Sequence, residues 1–144
     1  MLASLRSSVA AALCEPQIMI PSSKFDLETV AELQKASDNE VLQNADVLLE
    51  WLKDCNWPVF DGVVEKLSLY GFELRESIEN ILLGNDSIWK ANIVGHLIPK
   101  FSCESQLSYT KVLTKLLQNP SSSDCEEGLI DYIEIQLSPN MKCT

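Results

Sequence analysis

From Val41 to Leu137, apolar residues return every three or four positions, in short runs cut by a capping residue, a glycine or a proline. That period is one face of an α-helix. Helices of only a few turns cannot cover their own apolar faces, so each must pack against its neighbours. Val41, Leu42, Ala45, Leu48, Leu49 and Leu52 make the first stripe, and Val59, Phe60, Val63, Val64, Leu67 and Tyr70 the second. Leu74, Ile78, Ile81 and Leu82 follow, then Ile88, Trp89, Ile93, Val94 and Leu97 up to Pro99. Leu107, Val112, Leu113, Leu116 and Leu117 precede "NPSSS", and Leu129, Ile130, Ile133 and Leu137 follow it. The last stretch, "LIDYIEIQL", also alternates well enough for a strand; the helix is the reading adopted.

The ends of these stripes carry their own signals. Two prolines, Pro16 and Pro21, give an extended lead-in to a helix start around Asp26. Ser37 with Glu40, and Ser123 with Glu126, have capping-box spacing. Gly71 stands where a left-handed residue would end a helix, and Gly84 stops the third stripe. In "CNWP", Asn56 is the expected N-cap with Pro58 in the first turn, and Trp51 and Trp57 flank the junction as packing residues that fix the angle between two helices.

Asp54 and Trp57 are followed 32 residues later by Asp86 and Trp89, and Leu49 by Ile81 at the same offset. A period of that length with two helices per unit marks stacked helical hairpins. The expected fold is therefore all-α, a HEAT-like stack of antiparallel helix pairs forming an α-α superhelix. Residues 1–20 are a helix-forming N-terminal extension, and 21–144 a single helical-repeat domain; 144 residues suit one core.

"WLKDCNWPV", "DSIWK" and "LIPK", with "IPSSKFD" upstream, resemble a bacterial family of small proteins known only as a domain of unknown function. The resemblance spans roughly residues 20 to 100 and rests on Pro21, Lys24, Phe25, Asp26, Trp51, Leu52, Asp54, Asn56, Trp57, Pro58, Ile88, Trp89, Lys90, Ile98 and Pro99. It implies an all-helical, HEAT-type repeat and no reaction.

Charge is the skewed global property. There are 21 acidic and 11 basic residues, a formal net charge of -10, and residues 24–86 hold fourteen acidic against five basic side chains. Such a field disfavours nucleic-acid phosphate and suits a basic protein. No apolar run reaches the length a bilayer needs. Cys14, Cys55, Cys103, Cys125 and Cys143 form no Cys-x-x-Cys, and His96 is the lone histidine, so neither a metal site nor a cofactor is signalled. The cysteines read as small apolar residues of a reducing compartment, which places the chain in the cytoplasm. The N-terminus, "MLASLRSSVAAALC", carries one arginine and a short apolar stretch, and a targeting segment is the alternative to the plain extension.

An enzyme reading has Cys55 or Cys103 with His96 to offer as a thiol-imidazole pair, and Glu50, Asp54 and Asp61 as carboxylates that could approach one another across the junction but read as solvated helix-surface groups; there is no phosphate loop, nucleophile elbow or zinc-protease motif. The sequence therefore favours a non-catalytic protein-interaction module, monomeric, with an antidote that neutralises a basic toxin as the alternative. Trp57, Trp89, Lys90, Lys100 and Asp54 are the candidate binding residues, and Trp51, Asn56 and Pro58 the structural motif. Lys90 and Lys100 have a plainer role too, in neutralising nearby carboxylates or helix ends.

Overall fold

The computed structural model describes residues 20–138, and among them every regular element is helical. The extension expected over residues 1–20 lies outside them, apart from Ile20. The elements run α1 (Leu27–Leu33), α2 (Asp38–Gln43), α3 (Ala45–Glu50), α4 (Phe60–Leu67), a 3-10 turn (Ser68–Tyr70), α5 (Arg75–Leu82) and α6 (Ser87–Asn92). A π-helical turn (Ile93–Leu97) and a 3-10 turn (Ile98–Lys100) continue α6. After them come α7 (Cys103–Leu107), α8 (Thr110–Gln118), α9 (Ser122–Glu126) and α10 (Leu129–Leu137).

The apolar stripes close on one core. Val41, Leu48, Leu49 and Leu52 of the first, Val59, Val63 and Leu67 of the second, and Ile78 and Leu82 of the third are completely or almost completely out of water. The π-turn lies at the centre, packed against α4, α6 and α10, and α1 lies along α4. Ile93 and Leu97 of that turn are fully buried, whereas Ile88, expected on the same stripe, is half exposed. Ile88 stands five residues before Ile93, about 140° round the helix axis, so it falls on the outer side of α6. The first stripe is also broken. The side-chain amide of Asn44 donates to the Glu40 carbonyl at 2.8 Å, taking the acceptor that the Asn44 backbone would use and separating α2 from α3.

The ends confirm some signals and correct others. Asp26 caps α1, and Ser37 with Glu40 forms the expected capping box. The second box is made by Ser121 and Asp124, two residues before the expected Ser123 and Glu126. Pro120 precedes Ser121 and "SSS" offers three equivalent hydroxyls, so spacing alone could not choose the first. Gly71 is not left-handed: its φ is -56°. Its lack of a side chain is needed for space, because a Cβ there would lie 2.5 Å from that of Ser105. Gly128, with φ of 81°, is the left-handed residue, and it leads into α10. Residues 129–137 are helical, with Leu129 and Ile133 buried four apart.

"CNWP" departs most from expectation. Asn56 caps nothing: α4 begins at Phe60, after Val59, without a side-chain cap. Instead the Asp54 carboxylate accepts from the Asn56 amide at 2.9 Å, and the Asp54 carbonyl from the Trp57 amide at 3.2 Å. Asp54 thus closes a local turn, the use to which a short carboxylate in a loop is well suited. Cysteine usage is corrected as well. Cys55 and Cys125 are free but exposed rather than buried, and Cys103 is disulfide-bonded.

Candidate functional site

A depression lies beside α3, closed on its far side by α5 and by the loop into α6. Asp46 and Glu50 come from α3, Glu76, Ser77 and Asn80 from α5, and Gly84, Asn85 and Asp86 from the loop, with Leu49, Ile81 and Trp89 beneath. It encloses about 540 Å3. Four carboxylates line it, together with amides and a hydroxyl, and no lysine or arginine does.

Local structure explains three of the acids. Asp46 and Glu76 occupy first turns, and Asp86 caps α6 by accepting from the Trp89 amide at 3.0 Å. Carboxylates are favoured at all these helix starts. Glu50 has no such support. It is the last residue of α3, where the helix dipole opposes negative charge, and it stands four residues from Asp46, a like-charge spacing that is mildly unfavourable.

Trp89 is held in place as the floor. Its indole N–H donates to the Leu49 carbonyl at 2.9 Å, and the Lys53 ammonium lies 4.7 Å from its ring centre. The ring therefore already receives a cation, in the geometry by which indoles attract them. Next to Trp89, Asn92 donates to the Leu52 carbonyl at 2.9 Å, so the end of α3 and its following turn are tied to α6 at two points. The groove wall is rigidly joined to its floor.

A second, apolar cleft of about 310 Å3 adjoins it, lined by Ile20, Val47, Glu50, Trp51, Lys53 and Trp57. Trp51 and Trp57 meet edge to face with ring centres 5.4 Å apart, an arrangement that aromatic pairs prefer. Glu50 belongs to both cavities.

The candidate binding residues thus scatter. Trp57 lines the cleft, Trp89 floors the groove, and Asp54 is taken up in its turn. Lys100 is exposed at the end of its 3-10 turn, away from both cavities. Lys90 points inward. Its ammonium lies 3.0 Å from Asp124 Oδ1, and Ser87 donates to the same oxygen at 2.6 Å. Burial of Asp124 opposes its ionisation, but the hydrogen bonds from Ser87, the Ser121 amide and Lys90 outweigh that and hold its pKa below the ordinary carboxylate value. The equivalence of Asp54–Trp57 with Asp86–Trp89 does not extend to local geometry, since one aspartate closes a turn and the other caps a helix.

Of the groups considered for catalysis, His96 lies between Phe60 and Tyr132, with ring centres at 5.5 and 6.0 Å. Cys55 is exposed in the "DCNW" turn, and Cys103 is committed to its disulfide. Among the described residues, no three His, Cys, Asp or Glu side chains converge as metal ligands would, and no helix is long and apolar enough to cross a membrane.

The sequence marks Asp86 as a repeat position and Glu50 as a neighbour of Asp54 and Asp61, but not that either meets Asp46 and Glu76 in one groove. The signal available was the Asp46–Glu50 spacing inside the acidic segment. A family model described as Domain of unknown function (DUF5071) matches residues 19–134. No curated protein matches the chain.

Proposed function

The chain belongs to this family of unknown function, and we propose that it is a non-catalytic protein-interaction module, whose groove beside α3 receives a basic segment of another protein. The observation that carries this reading is the set of four carboxylates around a fixed tryptophan, with no lysine or arginine lining the cavity. Glu50 adds to it, because neither the helix dipole nor its neighbour Asp46 favours a carboxylate there. A cationic partner would relieve that repulsion and be steered by the surrounding field.

In this reading the short helices form a HEAT-like stack of antiparallel pairs, and the protein acts as a monomer. The antidote is its sharper form: a concave acidic surface suits stoichiometric cover of one basic protein. Affinity capture on the full chain, compared with Asp46→Asn/Glu50→Gln/Glu76→Gln of unchanged circular dichroism, tests it. Capture of a basic protein by the wild type and its loss with the variant supports recognition through the groove; equal capture by both contradicts it.

A further inference from the structure

Resting on that reading, we propose that the segment bound is bipartite: a basic side chain enters the acidic groove, and an apolar side chain a few residues away enters the cleft on the other side of Glu50. The two cavities are not independent surfaces, because α3 forms a wall of each. Asp46 and Glu50, four residues apart, line the groove. Val47 and Trp51, also four apart, line the cleft. Residues four apart share a helix face, and moving on by one residue turns about 100° around the axis, so the acidic and apolar stripes run side by side along one short helix.

Each cavity selects by its own chemistry. The groove offers carboxylates and amides, a combination suited to a guanidinium or ammonium group. The cleft offers Ile20, Val47, Trp51 and Trp57, and Val47 is 43% exposed. An exposed β-branched residue in a cleft shared with two tryptophans gains from being covered by an apolar side chain. An extended segment advances about 3.3 Å per residue, and a helix is about 10 Å across, so about three residues carry the chain from one cavity to the other. Glu50, shared by both, stands where the segment crosses.

The test uses isotope-labelled full chain and three capped hexapeptides. One has an arginine and, three residues on, a phenylalanine, with glycine and serine elsewhere; in the others glutamine replaces the arginine or serine replaces the phenylalanine. The two-part peptide is expected to shift the amides of Asp46, Val47 and Glu50 and both the Trp57 and Trp89 indole signals, and to bind about tenfold more tightly than either partial peptide. Val47→Asp should erase the difference between the two-part and arginine-only peptides, and Glu76→Gln should weaken the two peptides that contain arginine.

Equal affinity of the two-part and arginine-only peptides would overturn the bipartite proposal and leave the groove reading standing. No shift at either cavity with any peptide would overturn both. Concentration-dependent dimerisation abolished by Val47→Asp would assign the cleft to a second copy. Movement of the Val47 and Trp57 signals on Leu5→Asp would assign it to the chain's own N-terminal segment. Either result overturns the proposal.

Discussion

Lys90 and Asp124 form an ion pair 3.0 Å long, whose side chains are only 5% and 3% exposed. It joins α6 to α9 across a sequence separation of 34 residues, and Ser87 completes the shell of the carboxylate. A buried pair is weak evidence of net stabilisation, but breaking it from one side strands a charge out of water.

Lys90→Met should therefore destabilise the fold by about 3 to 5 kcal/mol, and Asp124→Asn by a similar amount. The double variant should cost less than the sum, because no unpaired charge remains. Urea denaturation of the four proteins measures the coupling.

Asp26 sets the acid response at the start of the chain's helices. Hydrogen bonds from the Thr29 side chain, the Ser22 and Thr29 amides and the Ser22 side chain bring its pKa down from 3.8 to about 2. A lowered native pKa favours the ionised form, so this contribution is fully present above the unfolded value and is lost as pH falls from 3.8 towards about 2. Asp26→Asn should lose stability at neutral pH, and its difference from wild type should shrink through that window. Urea midpoints across the acid range read this directly.

Gly95 opens the space that Tyr132 fills. A Cβ on it would lie 2.7 Å from the tyrosine ring, so Gly95→Ala should cost about 1 to 3 kcal/mol by overpacking. Pairing it with Tyr132→Leu should return part of the loss. Thermal melts of the single and paired variants check the direction, and a stable Gly95→Ala would mean that α10 can move away from the π-turn.

Tyr109 is fully buried, and its hydroxyl donates to the Gly71 carbonyl at 2.7 Å. Burial pushes its pKa upward, with Glu79 adding to the effect. Tyr109→Phe keeps the ring against Phe101 but leaves the carbonyl without that donor, for an expected loss of about 1 to 3 kcal/mol. Hydrogen exchange between residues 68 and 75 should quicken if the bond anchors that turn.

The helical character of the chain was legible because it is written in spacing. Val41, Leu48, Val63, Ile78 and Leu113 are fully buried where their periodicity put them. Local chemistry was legible when one residue had one use, as with Asp26 and the Ser37–Glu40 box. It failed where neighbouring residues offered the same groups: Asp54 closes a turn where Asn56 had been given a helix cap, and Ser121 took the cap given to Ser123. The π-turn was not anticipated, although Gly95 lies within it and Pro99, which cannot donate to the Gly95 carbonyl, follows it. The groove was hidden for a different reason. Charge density pointed to residues 24–86, but only tertiary structure brings Glu76 and Asp86 opposite Glu50. The same structure turns Lys90, which the sequence offered as a binding residue, into the interior against Asp124.

The central claim is that recognition runs through the acidic groove beside α3. Its most direct test is photo-crosslinking in the native cell, with a benzophenone amino acid placed at Asn80 in the groove or at Lys111, which lines neither cavity. The account predicts a discrete adduct with a basic protein from Asn80, absent from Lys111 and lost when Asp46, Glu50 and Glu76 are neutralised. The same adducts from both positions, or none from Asn80 in a folded protein, would contradict it.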